Sequence, residues 1–151
     1  MKKKITGSGI VAVLDNTKER YSSLNKDILY LVLIDKKNKY DFPKGGIDYG
    51  ESVFDCALRE TKEECNLTKE DFFDFYSENP SDSFICGDGL LMFLGFVNNA
   101  NNVRVVENPK TLQKEHIKFL WLTFEEIISS NKLYSYLVPA LVKSHKIVKQ
   151  M

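Results

Sequence analysis

Glu60, Glu63 and Glu64 stand at offsets 0, 3 and 4. On a helix that spacing puts three carboxylates on one side, within about one turn. Three like charges so close repel one another, at modest cost where water screens them. A hard divalent cation turns the crowding into an advantage, because it takes oxygen ligands and cancels their charge. Three carboxylates with backbone carbonyls and waters suit Mg²⁺ or Mn²⁺. No His or Cys joins the group, which argues against zinc. Neutralising neighbours are few: Lys62 points elsewhere, and Arg59 is displaced by about 100° around the helix. The competing reading of a Glu-rich helix is a solvated face that holds nothing.

A helix must carry these groups, and the sequence supplies one. Ser52 followed three residues later by Asp55 resembles a capping box. Phe54, Ala57, Leu58, Thr61 and Cys65 fall at offsets 0, 3, 4, 7 and 11, a single apolar stripe. Asn66 is a fitting stop, since Asn tolerates the left-handed backbone that ends helices. Ahead of the helix, Pro43 to Gly50 reads as a loop of special backbone geometry. Strands are expected over Ile10–Leu14, Ile28–Ile34, Lys39–Phe42, Phe72–Tyr76, Leu90–Val97 and Phe119–Leu122. Thr123 with Glu126 forms a second capping box, opening a helix to about Ser130. A terminal helix spans Tyr134 to Lys149, with Leu137, Leu141, Val142 and Val148 facing the core. Strands mixed with two or three helices argue an α/β sandwich, and the element order calls for a mixed sheet.

Composition sets the outer limits. The chain has 151 residues and a mass of 17.4 kDa, which suits one domain over 1–151. Lys+Arg and Asp+Glu both number 21, so the net charge is zero and there is no overall footprint for nucleic acid or membrane. Arg is rare, with Arg20, Arg59 and Arg104 the three instances, so each invites scrutiny for work that Lys cannot do. Cys56, Cys65 and Cys86 match no zinc spacing and are expected to be reduced structural thiols. Lys2, Lys3 and Lys4 are not followed by a clean apolar run, and no stretch approaches a membrane span. The expected location is the cytoplasm.

The stretch Gly45 to Leu67, GGIDYGESVFDCALRETKEECNL, resembles the Nudix box. That pattern is Gly, five residues, Glu, seven residues, Arg-Glu, aliphatic, any, Glu-Glu, any, Gly, aliphatic. Gly45, Glu51, Arg59, Glu60, Glu63, Glu64 and Leu67 match it. Thr61 replaces an aliphatic residue and Asn66 replaces a glycine; neither change touches a carboxylate. Upstream, Phe42-Pro43-Lys44-Gly45 is similar to members that act on RNA 5′ ends. Downstream, Glu115-His116 followed by Trp121 resembles a segment of diadenosine-polyphosphate hydrolases.

The resemblance implies an α/β/α sandwich with a mixed β-sheet. It also implies metal-dependent cleavage of a phosphoanhydride in a nucleoside diphosphate linked to another moiety. Candidate substrates are ADP-ribose, dinucleoside polyphosphates such as Ap3A, and FAD. Carried over residue by residue, Glu60 and Glu64 are the main metal ligands, and Glu63 holds a further metal or accepts the water's proton. The Lys44 carbonyl completes the inner shell; Lys44 and Gly45 approach the substrate. Glu51 and Arg59 pair to brace loop against helix. Glu115 reaches in from outside the box as ligand or general base; failing it, Glu63, Glu107 and Asp88 are the alternatives. Tyr40, Phe42, Phe93 or Trp121 could stack on a base, against the alternative of core packing. His116 and His145 are expected to be structural or exposed. Lys143, Lys146 and Lys149 are either a solvated face or contacts to RNA phosphate. Two other functions stay open: removal of a cap or pyrophosphate from an RNA 5′ end, and a nucleotide-binding module without turnover. A homodimer is also left open.

Overall fold

The computed structural model of the protein describes residues 4–16, 27–86, 89–108 and 113–151. Arg20, Asp88, Lys2 and Lys3 lie outside them.

Two long apolar strands, β1 (Gly7–Asp15) and β2 (Ile28–Asp35), form the middle of the sheet. They are buried on both faces, as runs without polar alternation must be. β7 (Leu90–Val97) pairs parallel to β1. β10 (His116–Leu122) pairs antiparallel to β2, and β5 (Phe72–Phe75) antiparallel to β7. The order β10-β2-β1-β7-β5 is therefore a mixed sheet. Helix α1 (Val53–Cys65) covers one face; α2 (Phe124–Ser130) and α3 (Val138–Gln150) cover the other.

Alternation along the strands builds the two cores. Ile10, Ala12, Leu31, Leu33 and Phe93 pack with Phe54, Ala57 and Cys65 of α1. Val11, Val13, Tyr30, Val32 and Ile34 pack with Ile127, Leu137, Ala140 and Leu141. The result is the expected α/β/α sandwich.

The site is seated by a local irregularity of the sheet. β1 and β2 pair only over Val13–Asp15 with Ile28–Tyr30, then part. The segment after β2 is wedged between them. β3 (Tyr40–Asp41) pairs with β2, and β4 (Lys44–Gly46) pairs with β1 in the register Gly7↔Gly46, Ser8↔Gly45, Gly9↔Lys44. Part of the segment read as an irregular loop, Pro43 to Gly50, is thus a short strand. Glycine in β1 makes the close approach feasible: a Cβ on Gly9 would lie 2.2 Å from the Pro43 carbonyl oxygen.

Three further expectations change. β6 (Phe84–Cys86) and the small hairpin β8 (Glu107–Asn108) with β9 (Gln113–Lys114) add strands that were not foreseen. The last helix begins at Val138, after a single 3₁₀ turn over Ser135–Leu137. Val142 is 45% exposed and is not a core residue, because the buried stripe of α3 runs through Ala140, Leu141, Ser144 and Val148. Among the described residues no helix is long and apolar enough to cross a membrane.

Candidate active site

Helix α1 starts and stops where its end residues dictate. The Ser52 side chain accepts from the Asp55 N–H, with no reciprocal bond from Asp55, so the cap is single rather than a box. Asn66 ends the helix at φ 67°, and its N–H reaches the Lys62 carbonyl. Thr61 is fully buried and donates its hydroxyl to the Ala57 carbonyl at 2.7 Å. That bond lets a polar residue stand where the family pattern has an aliphatic one. Ser8 of β1 donates to the Val53 carbonyl at 2.6 Å and fixes the helix start against the sheet.

The three glutamates differ in surroundings. Glu63 is exposed, Glu60 half-buried and Glu64 only 8% exposed. Glu64 Oε1 accepts the Lys44 N–H at 2.8 Å. Gly45 and Pro43 face β1 across the ladder, so the Lys44 amide and carbonyl point away from β1, toward α1. Gly45 is required for a different reason. A Cβ there would sit 2.1 Å from the Glu60 carboxyl carbon, so only glycine lets that carboxylate lie against the strand.

Burial, opposed by the Lys44 N–H and reinforced by Asp41 and Glu115, pushes the Glu64 carboxyl up to about 9. Burial also raises Glu60, while Arg59 pulls it down and Glu63 and Glu115 push it further up. The group is electrostatically unfavourable without a cation, as the spacing suggested.

The expectation that Arg59 stands aside is overturned. One residue's rotation separates the backbones, but the long side chain reaches back across it. Its Nε and Nη2 bind both Glu51 oxygens, at 2.8 and 3.1 Å. Nη2 also donates to the Gly46 carbonyl at 2.8 Å, and Nη1 lies 3.0 Å from Glu60 and 3.3 Å from Glu63. The hydrogen bond from Arg59 holds the Glu51 carboxyl below the usual range. One guanidinium thus joins loop, strand and helix, a task for its planar fork.

The second departure is His116. The sequence reading has no histidine join the carboxylates, yet His116, buried at 3% exposed, lies within the group. Its Nε2 is 3.0 Å from Asp41 Oδ2, and its Nδ1 is 3.9 Å from Glu64 Oε2. Single donor atoms of Glu64, Glu115 and His116 all lie within 4.8 Å of one another. The exposed Glu115, distant in sequence, is therefore brought to the box. Asp41 also takes the Lys44 ammonium at 3.2 Å. Burial alone would lower the Lys44 pKa, but Asp41, Tyr136 and Glu64 outweigh it and keep the ammonium charged.

Beside the carboxylates, a cavity of about 450 Å³ is lined by Thr6, Gly7, Lys44, Gly45, Leu90 and Tyr136, among others. It shares Lys44 and Gly45 with the carboxylate group. The Lys44 ammonium stands 5.7 Å from the centre of the Tyr136 ring, which is 39% exposed.

The remaining candidates stay apart from this chemistry. Tyr40, Phe42 and Phe93 are core residues, and half-buried Trp121 packs against the α1-side core. His145 stacks on Phe124 and hydrogen-bonds the Tyr30 hydroxyl. Cys56, Cys65 and Cys86 are buried free thiols whose pKa burial raises, Cys65 to about 12. Glu107 is exposed on β8, and the preceding Val106 N–H bonds the Glu64 carbonyl at the end of α1. Lys143, Lys146 and Lys149 are exposed.

Comparison with known proteins gives three kinds of likeness. Residues 6–141 match the NUDIX domain family. The chain is 29% identical to an RNA pyrophosphohydrolase of Ruthia magnifica subsp. Calyptogena magnifica, covering 76% of each protein. It is 32% identical to an asymmetrical bis(5′-nucleosyl)-tetraphosphatase of Caenorhabditis elegans over 57% of this chain, spanning 59% of that protein. Among solved structures, the binary complex of a C. elegans Ap4A hydrolase superimposes with a TM-score of 0.72 at 24% identity, covering 96% and 99% of the two chains. RenU, a Nudix hydrolase from M. smegmatis, gives 0.70 at 9% identity, covering 100% of this chain and 89% of RenU. The last two likenesses are of fold.

Proposed function

Since the chain belongs to the Nudix hydrolase family, we propose that it is a metal-dependent pyrophosphohydrolase cleaving a phosphoanhydride bond in nucleoside diphosphate derivatives. The observation that carries this reading is the meeting of Glu64 and Glu115 beside β4, next to a cavity that shares Lys44 and Gly45. Dinucleoside polyphosphates, ADP-ribose and FAD are the substrates proposed.

The donor set fits a divalent cation. A carboxyl driven up to about 9 by burial has no full counter-charge of its own, and a cation supplies one. Glu60, Glu63, Glu64, Glu115 and the Lys44 carbonyl are the proposed oxygen donors. Mg²⁺ or Mn²⁺ held there would supply Lewis-acid neutralisation of phosphate charge.

The chain's own residues do the rest. Gly45 lets Glu60 and the substrate approach the β4 backbone. Lys44, charged and fixed by Asp41, offers an ammonium at the rim of the cavity, where a phosphate can take it. Tyr136 offers a ring face to the nucleobase. Glu115, the exposed carboxylate of the group, takes a proton from water as its oxygen attacks phosphorus. The bridging P–O bond then breaks, and two phosphate products leave. Glu63 is the weaker base, because Arg59 already pairs with it. Arg59 with Glu51 braces the loop.

A substrate panel with Mg²⁺ and with Mn²⁺, products identified by mass spectrometry, tests this. Hydrolysis in ¹⁸O-water should place the label on a phosphate. Label on a sugar carbon would mean glycosidic chemistry and exclude the proposal.

A second reading, action on RNA 5′ ends, is favoured by the 29% identical RNA pyrophosphohydrolase. RNA engagement across several phosphates would give a steep salt dependence. A dinucleotide held in one cavity would give a shallow one.

A further inference from the structure

His116 has the placement of a metal-ligating imidazole. Its ring is buried between β3 and the end of α1, with Nε2 against Asp41 and Nδ1 facing Glu64. Asp41 acts as an acceptor throughout: it also receives the Phe42 N–H at 2.9 Å and the Lys44 ammonium. With Asp41 holding Nε2, Nδ1 is the ring nitrogen turned toward Glu64. A carboxylate holding one ring nitrogen so that the other can bind a cation is the usual outer arrangement of ligating histidines.

Distances allow it. Two donors each about 2.1 Å from one ion can be up to about 4.2 Å apart. The 3.9 Å from His116 Nδ1 to Glu64 Oε2 falls inside that limit. The outer spread of 4.8 Å involves Glu115, whose exposed side chain is free to close the remainder. The geometry supplies the reason for a cation: one donor atom each of Glu64, Glu115 and His116 lies within 4.8 Å of the others, and Glu64 is buried among them.

We infer that His116 Nδ1 is a direct ligand of the cation held by Glu64 and Glu115, giving a mixed nitrogen–oxygen site that prefers Mn²⁺ and other transition-metal ions to Mg²⁺. This rests on the proposed metal-dependent reading of the same site. Carboxylates alone suit Mg²⁺ and Mn²⁺ alike, whereas imidazole adds a donor that Mg²⁺ uses poorly.

Pulsed electron paramagnetic resonance on the full chain loaded with Mn²⁺ tests it without turnover. The chain has two histidines, so assignment is simple. The expected result is nuclear modulation from a directly bound ¹⁴N that changes when histidine is ¹⁵N-labelled. It should persist in His145→Gln and vanish in His116→Gln. The labelled wild type answers even if the His116 variant fails to fold. In a folded His116→Gln, the ratio of Mn²⁺ to Mg²⁺ affinity should fall about tenfold or more. Bound Mn²⁺ with no histidine nitrogen coupling overturns the inference while leaving the carboxylate site intact. No Mn²⁺ binding at all overturns the metal reading beneath it.

Discussion

Glu64→Gln separates the charge of the buried carboxylate from its shape. The amide oxygen can still accept the Lys44 N–H, so the link between α1 and β4 survives. The variant loses the anion that a cation needs, and we expect at least a hundredfold lower kcat, about 2.7 kcal/mol of transition-state stabilisation. Stability should move the other way. The carboxyl rises from an ordinary 4.5 to about 9 on folding, so its favourable contribution is fully present below about 4.5. That contribution drains away as pH climbs toward 9, when the folded chain must bury the charge. In EDTA the wild type should therefore lose thermal stability between pH 5 and pH 9 relative to the variant. Mg²⁺ or Mn²⁺ should restore it most at the alkaline end. With burial raising the carboxyl to about 9, cation binding near pH 7 should release a proton, read by calorimetry in buffers of different ionisation enthalpy. The variant should release none from this position. Near-full turnover of Glu64→Gln at saturating Mg²⁺ would refute the assignment of this face as the metal site. Parallel pH–stability curves in EDTA would refute the electrostatic account.

Arg59→Lys should cost about 1–2 kcal/mol of stability, because a single ammonium cannot hold Glu51 with two bonds and the Gly46 carbonyl with a third; chemical denaturation measures this, and an unchanged midpoint would contradict the brace. Gly45→Ala should lower activity more than tenfold with the far-ultraviolet circular dichroism unchanged, as the new methyl displaces Glu60 from β4. Glu115→Gln should reduce kcat with little change in KM and remove one limb of the pH–rate profile if the residue is the base. Partial rescue by raised Mn²⁺ would instead mark it as a ligand only.

Elements specified by local rules were legible in the sequence, and those specified by tertiary placement were not. Asn66 ends its helix at φ 67°, as its side chain permits. The reciprocal Thr123–Glu126 cap formed as read. β4 was missed because a three-residue Lys-Gly-Gly strand carries no alternation; only its register with β1 makes it a strand. The Glu51–Arg59 pair forms as expected, but the contacts of Arg59 with Glu60 and Glu63 escape helical rotation, which describes Cβ directions, while a guanidinium extends several bonds beyond its Cβ. Nothing local in the sequence marks the place of His116 beside the carboxylates. Its neighbours Asp41 and Glu64 are 75 and 52 residues away in sequence.

The wedge of β3 and β4 between β1 and β2 has a consequence for the order in which the molecule assembles. A strand seated in a gap requires the walls of the gap to exist, and those walls are themselves held by distant partners: β7 for β1 and β10 for β2. Closing such long loops is slow, and β3 and β4 are not seated between two walls until both wall pairings exist. We expect the complete active centre to be a late-forming unit of the folding reaction, tested by unfolding kinetics and amide exchange. Substitutions at Gly9 or Gly45 should accelerate unfolding and leave the refolding rate nearly unchanged. The Lys44 and Ile47 amides, bonded to Glu64 and to the Thr6 carbonyl, should exchange with solvent through an opening cheaper than global unfolding. Catalytic competence would in that case be lost on gentle warming well before the sheet melts.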